Sequence, residues 1–473
     1  MKRMLKKFTH LFSLFVLLGL ATAGYSQPFS LQLSFPDQPN DTVVLAHYYN
    51  GKLYANDSLQ LDQHGQASLL KSKSYPQGIY TLILGQKQQV DLLLGEDQHL
   101  QISQQHGHTK LEGASESEWF QAYVTFLKTK QQEASRLRQQ LAESGEQTEL
   151  QEPIRKRLVQ LDAEMQQKWQ SEAEKGAGLF YGKFMAANRQ KVLNKADFPA
   201  EVQANDSLMF VYSYQFNKNH YWDYFDWLDT RMWRTPTIHS KLENYFNKVL
   251  IQHPDSVLPV AVEMIEASKT QPEIFQNLVS FLLNNSVQSE YLGMENVFVA
   301  LAERYYLSGQ AFWASTKTLE TIRREVYFRK NNLVGSTAAE LFLPDEEGQY
   351  HSLHQQSTAF TVVVFWEPEC GHCKQQIPAL FEEVFLQTDP SKLAILAIYT
   401  QDNQEEWQHF IAEHELNGWL NLWDPDRLSN MQVNYNIRTT PMIYLLDRDK
   451  KIVAKKLTVE TLKIILKQLL NTP

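Results

Sequence analysis

Cysteine is nearly absent from this sequence: 473 residues hold two. That scarcity excludes a fold stapled by disulfides, so packing must hold the chain, and its length permits roughly three cores at ~150 residues each. A four-cysteine structural zinc site is excluded as well, because no second cysteine pair exists to complete it. Positive charge is also short. Lys and Arg number 45 against 54 Asp and Glu, for a formal charge of −9. That balance argues against nucleic acid and anionic membrane surfaces as partners. Beyond Leu20 no stretch is apolar for the ~20 residues a membrane span needs. No internal repeat is evident.

The one long apolar run stands at the N-terminus. Met1–Lys7 is basic, Leu11–Leu20 is apolar, and Ala21–Ser26 is rich in small residues. This is the pattern of a secretory signal peptide over residues 1–26, cleaved before Gln27. Its apolar part is short for a retained anchor, and no cysteine follows it for lipid attachment. Removing Lys2, Arg3, Lys6 and Lys7 leaves 41 basic residues against 54 acidic ones, a charge of −13. The expected address is periplasmic or otherwise extracytoplasmic, with a mature chain that spans no membrane.

The two cysteines that are present stand together. Cys370 and Cys373 follow the apolar run Thr361–Phe365 and the residues Trp366–Glu369. A strand ending in C-x-x-C and running into a helix has the form of a dithiol redox centre. Residues one helical turn apart can bring two sulfurs to bonding distance. A helix N-terminus near Cys370 would stabilise a thiolate through unpaired N–H groups. The competing structural role is weak, because a disulfide across four residues closes almost no chain. Glu367 and Glu369 should oppose a thiolate on Cys370, whereas His372 and the helix end should favour it.

Three regions follow the signal peptide. Residues 27–112 read as a small all-β domain, an antiparallel sandwich or barrel. Phe29–Phe35, Thr42–Tyr48, Gly78–Leu84 and Val90–Leu94 alternate or are apolar, and turn residues separate them. His106 and His108 lie in a polar turn and read as solvated residues rather than metal ligands. Residues 113–330 read as all-α. Trp119–Leu127 has the period of a surface helix, and the Gln- and Glu-rich piece that follows predicts two long helices meeting around Pro153. The aromatic stretch Tyr221–Leu228 with Met232 and Trp233 reads as core at helical spacing, ahead of a binding surface. Residues 331–473 alternate strands and helices: strands at 360–365, 393–399 and 442–446, and helices at 370–386, 404–414 and 459–470. Leu393–Tyr399 is apolar throughout, as expected of a strand buried on both faces. This last region predicts α/β with a mixed central sheet.

Residues 331–473 resemble the thioredoxin superfamily, in particular the extracytoplasmic TlpA/ResA-like thiol-disulfide oxidoreductases. Phe365 and Trp366 before the motif, Cys370-Gly371-His372-Cys373-Lys374, Pro378 within the helix, and Thr440-Pro441 before the strand Met442–Leu446 carry the likeness. Pro344, Asp345 and Gly348 resemble the added hairpin of that subgroup. The resemblance implies a thioredoxin fold and a cis-proline at Pro441 beside the dithiol. It also implies substrate contacts at Trp366, Thr440 and Pro441. Cys370 would attack and Cys373 resolve, with His372, Glu367 and Glu369 tuning the potential. Neither a metal nor a dissociable cofactor is implied. Two departures matter: Val364 occupies the place of thioredoxin's buried Asp, and Glu369 replaces the Trp that often precedes the first Cys.

The partners implied are exported proteins with disulfides and a membrane electron donor of the DsbD type. The Gly-His dipeptide resembles protein disulfide isomerase, at about −180 mV against about −270 mV for thioredoxin. The TlpA-like frame points to a reductase, so a reductase or isomerase is expected ahead of a primary oxidase. Residues 27–330 resemble uncharacterised β and helical domains that precede such modules in secreted bacterial proteins. A rival reading follows from their size: a binding or scaffold protein whose N-terminal domains recognise a partner, with the redox unit secondary. A thiol peroxidase is the third reading. It normally has a Thr and a Pro before one reactive Cys, and Pro368 alone does not supply them.

Overall fold

The structure, a computed structural model, describes residues 28–471 apart from 86–87, 106–107 and 146–147. The expected signal peptide and His106 lie outside the described residues. Two compact units result. One ends at Gln190 and also takes in Asp223–Asp226 and Arg231–Thr237; the other holds Lys191–Trp222, Trp227–Thr230 and the chain from Ile238 onward. The helical region is therefore divided between two packing units.

The first unit opens with a β-sandwich. Its strands are β1 (Phe29–Ser34), β2 (Thr42–Tyr49), β3 (Lys52–Gln60), β4 (Gln66–Lys71), β5 (Gly78–Ile83), β6 (Gln89–Leu94), β7 (His99–Gln105) and β8 (His108–Glu112). They form two sheets, ordered β4-β1-β7-β8 and β3-β2-β5-β6. Leu31, Leu33 and Ile102 from one sheet meet Val43, Leu45 and Leu82 from the other in a single core. One pair departs from the expected antiparallel pattern: β1 and β7 run parallel. Between them the chain builds the whole of the second sheet, the kind of long crossover a parallel pair requires.

Two long helices follow, α1 (Ser115–Glu143) and α2 (Thr148–Lys175). The chain turns near Gly145, which has φ +56°, and not at Pro153. Pro153 lies inside α2. There it costs one hydrogen bond near the helix start, where few bonds are yet in place. Buried Glu116 ties α1 to its surroundings, accepting from the backbone N–H of Glu96 at 3.1 Å and of Tyr181 at 2.9 Å. Gly95 is required beside it, since a Cβ there would stand 1.9 Å from the Glu116 carboxylate. Tyr181 lies on α3 (Phe180–Ala186). Of the aromatic stretch, Phe225, Met232 and Trp233 are buried, while Tyr221, Trp222, Tyr224 and Trp227 are half-buried; residues 221–228 run in turns, not at the helical spacing expected.

The second unit carries α4 (Ala200–Gln203), α5 (Asp206–His220), most of α6 (Thr237–Asn244), α7 (Pro254–Ala267), α8 (Pro272–Gln288), α9 (Met294–Leu301) and α10 (Thr316–Arg329). A five-stranded sheet follows, ordered β13 (Leu420–Trp423), β12 (Leu393–Tyr399), β11 (Phe360–Trp366), β14 (Met442–Asp447) and β15 (Ile452–Lys455). β11, β12 and β13 are parallel, whereas β14 and β15 are antiparallel to their neighbours, so the sheet is mixed as expected. The hairpin expected around Gly348 is β9 (Phe342–Pro344) with β10 (Tyr350–Ser352). Helices α11 (Cys373–Leu380), α12 (Gln404–Glu413) and α14 (Val459–Leu470) pack on one face of the sheet. The short α13 (Met431–Asn434) and the hairpin cover the other. All-β, all-α and α/β regions therefore follow one another along the chain. Among the described residues no helix is long and apolar enough to cross a membrane.

Candidate active site

β11 explains why the dithiol stands where it does. Val362 to Trp366 are fully buried, anchoring the strand on both faces, and the chain leaves the sheet at Glu367. The helix begins at Cys373, three residues later than the sequence predicts. Cys370 therefore sits in the turn ahead of α11. From there it uses the free N–H groups at the helix start, and the Cys373 N–H donates to the Cys370 Sγ at 3.4 Å. Pro378 lies inside α11, and the helix widens into a π turn at Phe381–Phe385.

Both cysteines are free thiols, Cys370 partly exposed and Cys373 buried. Thr440-Pro441 is a cis peptide. The loop it forms lies against the dithiol, and the Cys370 thiol donates to the Thr440 carbonyl at 3.1 Å. Burial opposes ionisation of Cys370. Hydrogen bonds from the Cys373 side chain, from Thr440 and from the N–H groups of Cys373 and His372 outweigh it, and the thiol is lowered from its ordinary value. Cys373 behaves in the opposite way. Burial, aided by the hydrogen bond and charge of Cys370, pushes it up to about 12.

The remaining expected residues are distributed around this pair. Glu367 is a strut: its carboxylate accepts from the Thr440 hydroxyl at 2.7 Å and also from Gln401. Glu369 points outward, with 82% of its side chain exposed, 4.0 Å from Lys374. His372 is exposed. It acts on Cys370 through its backbone N–H, where the sequence suggests its imidazole. Trp366, expected at the substrate surface, is fully buried, its ring 4.8 Å from Phe410. A bulky ring that follows four buried strand residues completes the core and leaves the surface to Thr440 and Pro441.

Cys370 also lines an open groove of about 940 Å³ with Glu367, Glu369, Asp402, Glu405 and Glu406. A second groove, about 590 Å³, runs past Thr440, Pro441 and His372 and is lined by Arg329, Arg438 and Lys456. Of the charged or titratable members, sequence reasoning named Glu367, Glu369 and His372 and missed Asp402, Glu405, Glu406, Arg329, Arg438 and Lys456. Arg438, two residues before Thr440, was the one available signal. Among the described residues, no group of three or more His, Cys, Asp or Glu could hold a metal ion.

Residues 334–455 match the model of the AhpC/TSA family. No curated protein matches the chain. Solved structures similar to it include a domain of a possible thiol-disulfide isomerase from Cytophaga hutchinsonii, 32% identical, covering 30% of this chain and 95% of its own, at a TM-score of 0.28. A thioredoxin-like protein from Bacteroides caccae is 16% identical over 59% of this chain and 98% of its own, at a TM-score of 0.44. A thiol-disulfide oxidoreductase from Bacteroides fragilis is 26% identical over 28% of this chain and 99% of its own, at 0.25. With its mixed sheet, its cis-proline and its C-x-x-C ahead of a helix, the C-terminal part of this chain belongs to the thioredoxin superfamily and is a redox enzyme module of the TlpA-like kind.

Proposed function

We propose that the protein exchanges disulfides with exported proteins through Cys370 and Cys373, as a reductase or isomerase. The observation that carries this reading is the asymmetry of the two thiols, one partly exposed and eased toward the thiolate, the other buried and held protonated. The Cys370 thiolate attacks one sulfur of a substrate disulfide, forming a mixed disulfide and expelling the other sulfur as a thiolate that takes up a proton. The charge on Cys370 is then gone, and with it one of the influences that kept Cys373 protonated. Cys373 loses its proton and attacks the Cys370 sulfur. The second substrate thiol leaves reduced, and the protein holds the Cys370–Cys373 disulfide. The signal-peptide pattern of residues 1–26 supports a periplasmic setting, with a membrane electron donor of the DsbD type returning the two electrons.

The AhpC/TSA match favours a second reading, a thiol peroxidase, in which Cys370 attacks a peroxide oxygen and Cys373 resolves the resulting sulfenic acid. One pair of assays separates the two. The full chain should speed dithiothreitol-dependent reduction of insulin and leave hydrogen peroxide consumption near that of a Cys370→Ser variant. Rapid, Cys370-dependent peroxide consumption without insulin reduction would reverse the assignment.

A further inference from the structure

The groove beside Pro441 is built by two parts of the second unit. Arg438, Lys456 and His372 come from the thioredoxin module, and Arg329 is the last residue of α10 in the helical region. Two carboxylates of the helical region hold the cations in place. Glu325 accepts from Arg438 at 3.0 and 3.1 Å and pairs with Arg329 at 3.1 Å. Glu295 pairs with Arg329 at 3.1 Å, with Lys455 at 2.6 Å and with Lys456. Burial opposes ionisation of Glu295, but the charge of Lys455 and the hydrogen bonds from Lys455 and Lys456 prevail, holding its carboxyl at about 2.

Four cations on two carboxylates leave two positive charges in excess. The excess faces solvent on one side. The side chains of Arg438 and Lys456 are 46% and 52% exposed, whereas those of Glu295 and Glu325 are 15% and 20% exposed. Among the described residues, no acidic side chain lines this groove. The groove on the other side of Cys370 carries five carboxylates and disfavours an anionic segment, so the Pro441 side is the favourable approach for one.

We propose that the groove beside Pro441 selects substrates. It would take an acidic stretch of polypeptide next to the cystine being exchanged, and the helical region would confer this preference by holding Arg329, Arg438 and Lys456 along it. The inference rests on the disulfide-exchange reading above and gives the helical region a role in that reaction. It makes Arg438 and Lys456 specificity residues, and Glu295 and Glu325 positioning residues.

The test uses the reduced full chain and three peptides, each with one cysteine in mixed disulfide with 2-mercaptoethanol. One is uncharged; the others carry three acidic residues, on the N-terminal or the C-terminal side of the cysteine. Each turnover oxidises Cys370 and Cys373 to a disulfide and releases the peptide thiol and mercaptoethanol. One acidic peptide should react roughly three- to tenfold faster than the uncharged one at low salt, an advantage that shrinks in high salt. In the Arg438→Gln/Lys456→Gln double variant the ratio should fall toward one, and in Arg438→Lys/Lys456→Arg it should recover. A variant that merely loses structure slows all peptides together and leaves the ratio intact, which would count against the groove. If the wild-type chain reduces the uncharged peptide and neither acidic one faster, the groove does not select acidic segments, although disulfide exchange stands. If it reduces no peptide, the exchange reading fails and this inference fails with it.

Discussion

Cys370 lies in a turn, partly exposed, beside the Thr440 carbonyl and beneath the N–H groups that open α11. Cys373, three residues on, is enclosed by the core that contains Trp366, Ile377 and Leu380. The same thiol is lowered in the first setting and driven to about 12 in the second. What separates them is donor geometry on one side and desolvation on the other, with no charged side chain outside the pair contributing. The difference shows that the order of events is built into burial, since the thiol that meets a substrate is the one that ionises first.

The largest test of that division removes each sulfur in turn. Cys370→Ser should lower insulin reduction by about a thousandfold or more, because the attacking nucleophile is lost. Cys373→Ser should also stop turnover, yet it should accumulate dithiothreitol-sensitive conjugates with exported proteins when expressed with its leader. Conjugates that form in Cys370→Ser instead would exchange the two roles.

Alkylation measures the contrast directly. With iodoacetamide on the reduced chain, Cys370 should react with a midpoint below the ordinary thiol value, while Cys373 should stay unlabelled until strongly alkaline pH. At pH 7 the two rates should differ by about a hundredfold or more, following thiolate fraction and access. Equal labelling, mapped by peptide mass, would remove the asymmetry on which the mechanism depends.

The smallest effect sharpens the origin of the Cys370 shift. His372 has φ −73°, a value proline accepts, so His372→Pro removes its N–H with little change of backbone. Loss of one hydrogen bond to a charged sulfur, about 1.5 kcal/mol, should raise the Cys370 pKa by about one unit and lower the reduction potential by about 30 mV. His372→Ala keeps the N–H and should shift the potential by less than half as much. Redox titration against glutathione compares them, and an alanine shift as large as the proline shift would mean that the imidazole sets the poise.

Much of this was readable from residue types. β1, β2, β5 and β6 carry apolar runs, and the buried strands of the C-terminal sheet announce themselves the same way. β3 and β4 do not: Lys52 to Ala55 are all exposed, and their polar sequences look like turns. β13 was missed because its four residues sit at the sheet edge, too few for a periodic signal. At the site, Cys370, Cys373 and Pro441 were legible as a motif. That His372 bears on Cys370 was legible, but its route was not, because a backbone N–H leaves no mark in side-chain identity. Trp366 was misplaced for a related reason, since an aromatic at a strand end fits core and surface equally well. Glu295 and Glu325 stood among ordinary helix-surface charges, and only tertiary packing reveals what they hold.

Lys455 gives the junction at residue 330 an unexpected character. Its side chain is 4% exposed and its ammonium rests between Glu295 and the Asn332 side chain, at 2.6 and 2.7 Å. A chain cut just before residue 331 keeps every strand of the five-stranded sheet and both cysteines but loses Glu295, so only the neutral Asn332 side chain still accepts from that ammonium. In the full chain, where Lys455 is buried, removing Glu295 alone would leave that charge uncompensated at a cost of about 3–5 kcal/mol. The border that composition draws between helices and redox module is therefore crossed by a buried ion pair. A C-terminal module standing alone would carry Lys455 without that carboxylate.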